Sequence, residues 1–161
     1  ELVENDALFD ALETGVVKRY ITDFGTEELL NKPNVTVFPH VGGSTSEAEL
    51  NCAIMAAQTI RRFMETGEIV NSVNFPRVQQ VLSAPYRITL INKNVPNIVA
   101  RISTAVSDFN INIDNIINRS KGEYAYTLLD LDETDKSKID ELVAKFEASD
   151  NIVRVRLIKG K

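Results

Sequence analysis

Tyr86-Arg87-Ile88-Thr89-Leu90-Ile91-Asn92-Lys93-Asn94-Val95-Pro96 is the stretch from which the fold can be read. Its first seven residues are rich in β-branched and aromatic side chains and read as a strand. Asn92 to Pro96 turns the chain and sets Pro96 at a helix start, where a missing N–H costs nothing. Ile98, Val99, Ile102, Ala105, Val106 and Phe109 recur at helical spacing, and Asn110 can end the helix in the left-handed conformation. Ile111–Arg119 reads as a second strand, whose alternation slips at Ile116-Ile117 as a bulge would make it. Ser120-Lys121-Gly122-Glu123 is a hairpin turn that returns through Tyr124–Leu131. Thr134 or Asp135 caps a second helix with Ile139, Leu142, Val143 and Phe146 on one face. Ile152–Ile158 closes as a strand in which Arg154 and Arg156 alternate with apolar residues, implying one solvated face. The order βαββαβ predicts a ferredoxin-like unit of four antiparallel strands with two helices on one face.

Upstream, Asn5 or Asp6 can cap a short helix with apolar positions Leu8, Phe9 and Leu12, stopped by Gly15. Val16–Thr22 and Val35–Phe38 read as strands, about a dozen residues apart, which suffices for a parallel crossover. The second strand runs into Pro39-His40-Val41-Gly42-Gly43-Ser44-Thr45 and then a helical pattern over residues 46–66. Ser44 with Glu47, or Ser46 with Glu49, has the spacing of a capping box. The helix carries apolar residues at 50, 53, 54, 57, 60 and 64, a stripe that calls for a packing partner. Cys52 lies within this pattern and reads as a packed, inert thiol. Residues 67–85, with Pro76 and Pro85, show no clean period and read as a linker, with a domain boundary near Pro85.

The 161 residues carry a net charge of −5, with 43% hydrophobic and 25% charged residues. That balance fits a globular protein and argues against a general nucleic-acid binder. Residues 1–85 hold 6 of the 18 basic and 12 of the 23 acidic residues, so the two halves differ in character. No apolar run reaches the ~18–20 residues a membrane span requires, and the acidic start lacks the positive charge of a signal peptide. One cysteine cannot form an internal disulfide, which fits a cytoplasmic protein. His40, the only histidine, stands where a strand ends and a glycine turn begins, the place small-ligand sites favour in α/β folds.

The Pro39–Thr45 run, the helix after it and Asn71-Ser72-Val73-Asn74-Phe75-Pro76 resemble the phosphoglycerate-oxidising branch of the NAD-dependent D-2-hydroxyacid dehydrogenases. Residues 86–161 resemble the ACT domain that closes that enzyme and senses amino acids. The resemblance implies an α+β chain: a C-terminal ferredoxin-like βαββαβ ACT domain preceded by the trailing α/β segment of a Rossmann-type nucleotide-binding domain. Residues 1–43 would end that incomplete domain, 44–66 form a long connecting helix, 67–85 a linker and 86–161 the ACT regulatory domain.

The resemblance further implies oxidation of 3-phosphoglycerate to 3-phosphohydroxypyruvate in L-serine biosynthesis, with NAD as cofactor. His40 would take the hydroxyl proton, a task suited to imidazole near neutral pH. Glu27 matches the family's carboxylate partner, with Glu28 the neighbouring choice. Gly42 and Gly43 would let the backbone pass close to the nicotinamide. L-serine or another amino acid would bind between paired ACT domains at Asn92 and Asn94 and at Asn112 of a neighbouring copy; amides suit it because each offers a donor and an acceptor. Homodimerisation would run through the ACT sheet edge. Two positions depart from the family: Asn92, where serine-sensing relatives can carry histidine, and Asn97, where glycine is favoured. The sequence contains no Gly-x-Gly-x-x-Gly fingerprint and no residue matching the catalytic arginine, so these residues alone are expected to be an inactive C-terminal fragment. Two other readings are an amino-acid-binding ACT module of another enzyme and a ferredoxin-like RNA-binding unit. The first strand of the unit, Arg87-Ile88-Thr89-Leu90-Ile91, lacks the aromatics on which RNA-binding sheets stack bases.

Overall fold

The computed structural model describes residues 2–160. It divides into two compact units, residues 1–52 and 53–161. The division falls inside a helix.

In the first unit, α1 (Asn5–Glu13) packs Leu8 and Leu12 with Leu29, surrounded by Phe9, Val17, Tyr20, Val35 and Val37. The helix begins one residue earlier than its expected caps, after Glu4, with no side-chain cap. The expected strand over 16–22 shrinks to β1 (Tyr20–Thr22), which pairs in parallel with β2 (Val35–Val37). The reason is local: Gly15 takes a φ of +74° and the Val17 N–H returns to the Ala11 carbonyl, folding residues 14–17 back on the helix.

Helix α2 (Ser46–Thr66) has the expected bounds. Its cap is neither expected box but Thr45, whose hydroxyl accepts from the Ala48 N–H at 3.1 Å. None of its residues is buried, and Leu50, Ile54, Met55, Ile60 and Met64 stand exposed, so the stripe has not found the partner its pattern calls for. Cys52 is exposed too, contrary to expectation.

The second unit contains the ferredoxin-like βαββαβ order. Strands β3 (Tyr86–Lys93), β4 (Asn112–Lys121), β5 (Tyr124–Asp132) and β6 (Ile152–Lys159) form one antiparallel sheet in the order β4-β5-β3-β6. Helices α3 (Ile98–Ser107) and α4 (Lys136–Glu147) cover one face, where Ile88, Leu90, Ile102, Val106, Leu129, Leu131, Ile139 and Leu142 are at most 1% exposed. Asp135 caps α4 by accepting from the Ser137 N–H at 2.9 Å. The hairpin turns through Gly122-Glu123 with φ +65° at glycine, as a type II′ turn requires.

The middle of the sheet's other face is covered, while Arg154 on edge strand β6 stands exposed, as the alternation there implies. Residues 67–85 cross that face, pinned by an antiparallel bridge between Ile69 and Val78. Ile69 and Val78 pack on Tyr126 and Leu128, with Phe75, Ile91 and Ile117 around them. The stretch expected as a linker thus lies within the second unit, and no boundary falls near Pro85. Covering both faces also moves the bulge. Ile116 points to the helices and Ile117 to the strap, so adjacent isoleucines obey regular alternation. The register shifts instead between Ile113 and Asn115.

A buried ion pair ties the strap down. Arg87 and Asp130 are register partners, 0% and 1% exposed. The Arg87 guanidinium also donates to the carbonyls of Thr66, Gln80 and Val81 at 2.8, 2.9 and 3.2 Å. The Tyr126 hydroxyl donates to the Gly67 carbonyl at 2.7 Å. Gly67 has φ +71°, and a Cβ there would lie 2.5 Å from the Thr89 methyl.

Candidate functional site

Thr22 and Val37 are the last pair of the small parallel sheet, and the Phe38 N–H continues the ladder to the Thr22 carbonyl. The Thr22 hydroxyl then accepts from the Phe24 N–H at 3.0 Å, a local turn that sends Asp23 off the strand end toward the chain leaving β2. His40 Nδ1 lies 2.8 Å from Asp23 Oδ2, and its ring packs against Phe24 with centroids 4.5 Å apart. Both partners are more than half exposed, so the pair adds little to stability. Its value is orientational: a carboxylate on Nδ1 favours the tautomer with its proton there, which leaves Nε2 as the acceptor.

The carboxylate differs from the expected one. Glu27 makes no side-chain hydrogen bond among the described residues, and Glu28 accepts from the Asn5 amide at 2.7 Å. Both sit in the turn around Thr26, whose carbonyl receives the N–H groups of Leu29 and Leu30. That turn is anchored by buried Leu29, whereas Asp23 adjoins the strand end and reaches His40 directly.

Gly42 and Gly43 are exposed, and a Cβ on either would meet nothing within 4 Å. They leave open space near His40 without being required by any contact among the described residues. A two-stranded sheet without a glycine fingerprint does not by itself form a dinucleotide cradle.

The three asparagines occupy different environments. Asn92 is fully buried; its amide donates to the Lys93 carbonyl at 3.0 Å and its Oδ1 accepts from the Thr127 hydroxyl at 2.9 Å. Asn94 is exposed and clamps onto the hairpin: its backbone N–H reaches the Glu123 carbonyl at 2.8 Å and its Nδ2 the Gly122 carbonyl at 3.1 Å. Asn112 is exposed at the start of edge strand β4, opposite Asp132. Seven residues of β5 separate that row from Ala125, the partner of Asn92, which is about 23 Å at strand rise. The first two asparagines and the third therefore lie at opposite ends of one sheet.

Asn97 has φ +64°. It takes the left-handed conformation that glycine adopts without strain and asparagine tolerates, so the departure from glycine preserves the backbone course before α3.

Sequence reasoning passed over Thr127, Asn118, Arg87 and Asp130. A charged residue inside each of two apolar strands, Arg87 and Asp130, was the available signal for a buried pair. Thr127 and Asn118 carried none, because a hydroxyl and an amide in strands are ordinary.

No family model matches the chain. Among curated proteins it is similar to D-3-phosphoglycerate dehydrogenase 2 of Saccharomyces cerevisiae, 33% identical over 139 residues, covering 83% of this chain and 29% of the relative. It is also similar to D-3-phosphoglycerate dehydrogenase of Escherichia coli, 26% identical over 133 residues, covering 83% and 32%. The chain thus spans about a third or less of the length of these relatives. Among solved structures, the ACT domain of GTP pyrophosphokinase from Chlorobium tepidum aligns with a TM-score of 0.42 at 18% identity, covering 45% of this chain and 95% of that one. An ACT domain protein from Streptococcus pneumoniae aligns with a TM-score of 0.40 at 25% identity, covering 46% and 86%.

Proposed function

We propose that this chain is the closing part of an NAD-dependent dehydrogenase that oxidises 3-phosphoglycerate, carrying an ACT domain that responds to L-serine or a related amino acid. The observation that carries this reading is the similarity to D-3-phosphoglycerate dehydrogenases over 139 residues, more than either unit alone could supply. The geometry supports it at both ends. His40 is exposed, held by Asp23, and bordered by open backbone at Gly42 and Gly43. With Nδ1 engaged, Nε2 is the acceptor for a substrate hydroxyl proton. NAD would supply the hydride acceptor when bound; the residues that cradle its pyrophosphate are not in this sequence.

At the other end, β4 is an edge strand with unpaired backbone groups. Antiparallel pairing of β4 with the same strand of a second copy carries that copy's Asn112 toward the hairpin end where Asn94 sits. An amino-acid site built from Asn94 and the partner's residue follows from that symmetry.

A second reading keeps only the regulatory half: an amino-acid-binding module of another 2-hydroxyacid dehydrogenase or of an unrelated enzyme. It draws on the compactness of residues 53–161 as a unit. Isothermal calorimetry of the 161-residue chain with L-serine and other amino acids tests the shared part. Binding with two equivalent sites per sheet-edge dimer, one per chain, supports it; no heat from any amino acid overturns it. Assay of the same chain with NAD and 3-phosphoglycerate is expected to show no turnover, since the dinucleotide fingerprint is missing; turnover would overturn the assignment of roles.

A further inference from the structure

Thr127 and Asn118 stand behind the loop that carries Asn94, and neither belongs to the effector set considered above. Asn118 Nδ2 donates to Thr127 Oγ1 at 2.7 Å, Thr127 Oγ1 donates to Asn92 Oδ1 at 2.9 Å, and Asn92 Nδ2 donates to the Lys93 carbonyl at 3.0 Å. The three side chains cross β4, β5 and β3 in one direction, with the threonine hydroxyl proton and one amide proton of each asparagine in use. Asn92 and Thr127 are wholly buried. A buried side chain with its acceptor and a donor in use is not placed to touch a ligand. What it does, together with the Val95 N–H at 3.0 Å, is hold the Lys93 carbonyl, and so the peptide plane from which Asn94 begins. The hairpin holds the other side of Asn94 through Glu123 and Gly122, and Asn94 Oδ1 accepts no hydrogen bond among the described residues.

Resting on the amino-acid reading above, we infer that Asn118, Thr127 and Asn92 form a positioning relay that aims the free Asn94 carbonyl oxygen at the ammonium group of the effector. Asn92 is then a positioning residue rather than a ligand contact, and Thr127 is its link: the single hydroxyl accepts from Asn118 while donating to Asn92, which valine cannot do. A relay of this kind recognises an α-ammonium, not merely a carboxylate.

The test is calorimetric titration of the full chain with L-serine, the amino acid giving the largest heat, ethanolamine and glycerate. In the wild type, heat from the amino acid and none from glycerate, which lacks the ammonium, is expected. Thr127→Val should weaken amino-acid binding about fivefold or more, the equivalent of one hydrogen bond, while Thr127→Ser restores it. The amide side-chain NMR signals of Asn92 should shift in Thr127→Val and return in Thr127→Ser. Unchanged affinity in folded Thr127→Val, or glycerate binding as well as the amino acid, overturns the relay alone. If Thr127→Val does not fold, loss of affinity in Asn118→Ala decides in its place, and retained affinity overturns the relay. No heat from any amino acid in the wild type overturns the amino-acid reading itself.

Discussion

The Arg87 guanidinium and the Asp130 carboxylate meet across β3 and β5 with two hydrogen bonds, Nε to Oδ1 at 2.5 Å and Nη2 to Oδ2 at 2.7 Å, and neither residue reaches solvent. Removing one partner leaves an uncompensated charge in the interior. Asp130→Ala is expected to cost about 3–5 kcal/mol in urea unfolding monitored by circular dichroism. An exposed pair such as Arg61 with Glu65 should cost less than about 1 kcal/mol by the same measurement.

The strap sets where the folding unit begins. A polypeptide of residues 86–161 lacks the carbonyls of Thr66, Gln80 and Val81 that receive Arg87, and lacks Ile69 and Val78 over Tyr126 and Leu128. It should unfold at markedly lower denaturant than residues 53–161, or fail to fold cooperatively. Equal midpoints would show that the strap is dispensable.

Burial raises the Tyr126 phenol above its ordinary value of 10.0, opposed more weakly by Thr89 and by the positive charges of Arg156 and Arg87. The unfolded chain releases this proton first as pH climbs. The stabilisation is therefore complete below pH 10 and lost as pH rises from there through the folded-state value. Tyr126→Phe should be about 1 kcal/mol less stable at neutral pH, for the lost bond to Gly67, yet shed less stability between pH 9 and 11. Denaturant midpoints across that range give both numbers.

Two glycines with positive φ separate backbone strain from crowding. Gly122→Ala meets open space and should cost about 1–2 kcal/mol for the left-handed backbone alone. Gly67→Ala adds collisions with Thr89 and Ile158, the latter at 2.9 Å, and should cost clearly more. Thermal melts of the two variants side by side make the comparison.

The strongly periodic parts of the sequence revealed their structure: helices over 46–66 and near 98–107 and 136–147, and the four strands in their order. Those elements bury a repeating face against each other, which is what periodicity encodes. The strap did not, because Ile69 and Val78 pack singly and make no period. Missing it left the middle of the sheet's second face without a cover and placed the bulge at Ile116-Ile117. In the first unit, His40 was legible as a lone imidazole at a strand end. Its partner was not, since choosing among Asp23, Glu27 and Glu28 depends on a turn made by one threonine hydroxyl. Asn97 shows the reverse case, a sequence departure that the backbone absorbs.

Asp114 is the unpaired residue of the β4 bulge, lying between Ile113 opposite Leu131 and Asn115 opposite Asp130. Ile113 and Ile116 face the helices across that shift, so excising Asp114 would leave them two apart, the spacing of a plain strand. Elsewhere in a sheet covered on both faces, losing one residue exchanges inside for outside along the rest of the strand. Here it would straighten β4 and reverse nothing. At this bulge the gene can shorten by a codon and still encode the same sheet, its edge relaxed and Asn112 kept opposite Asp132.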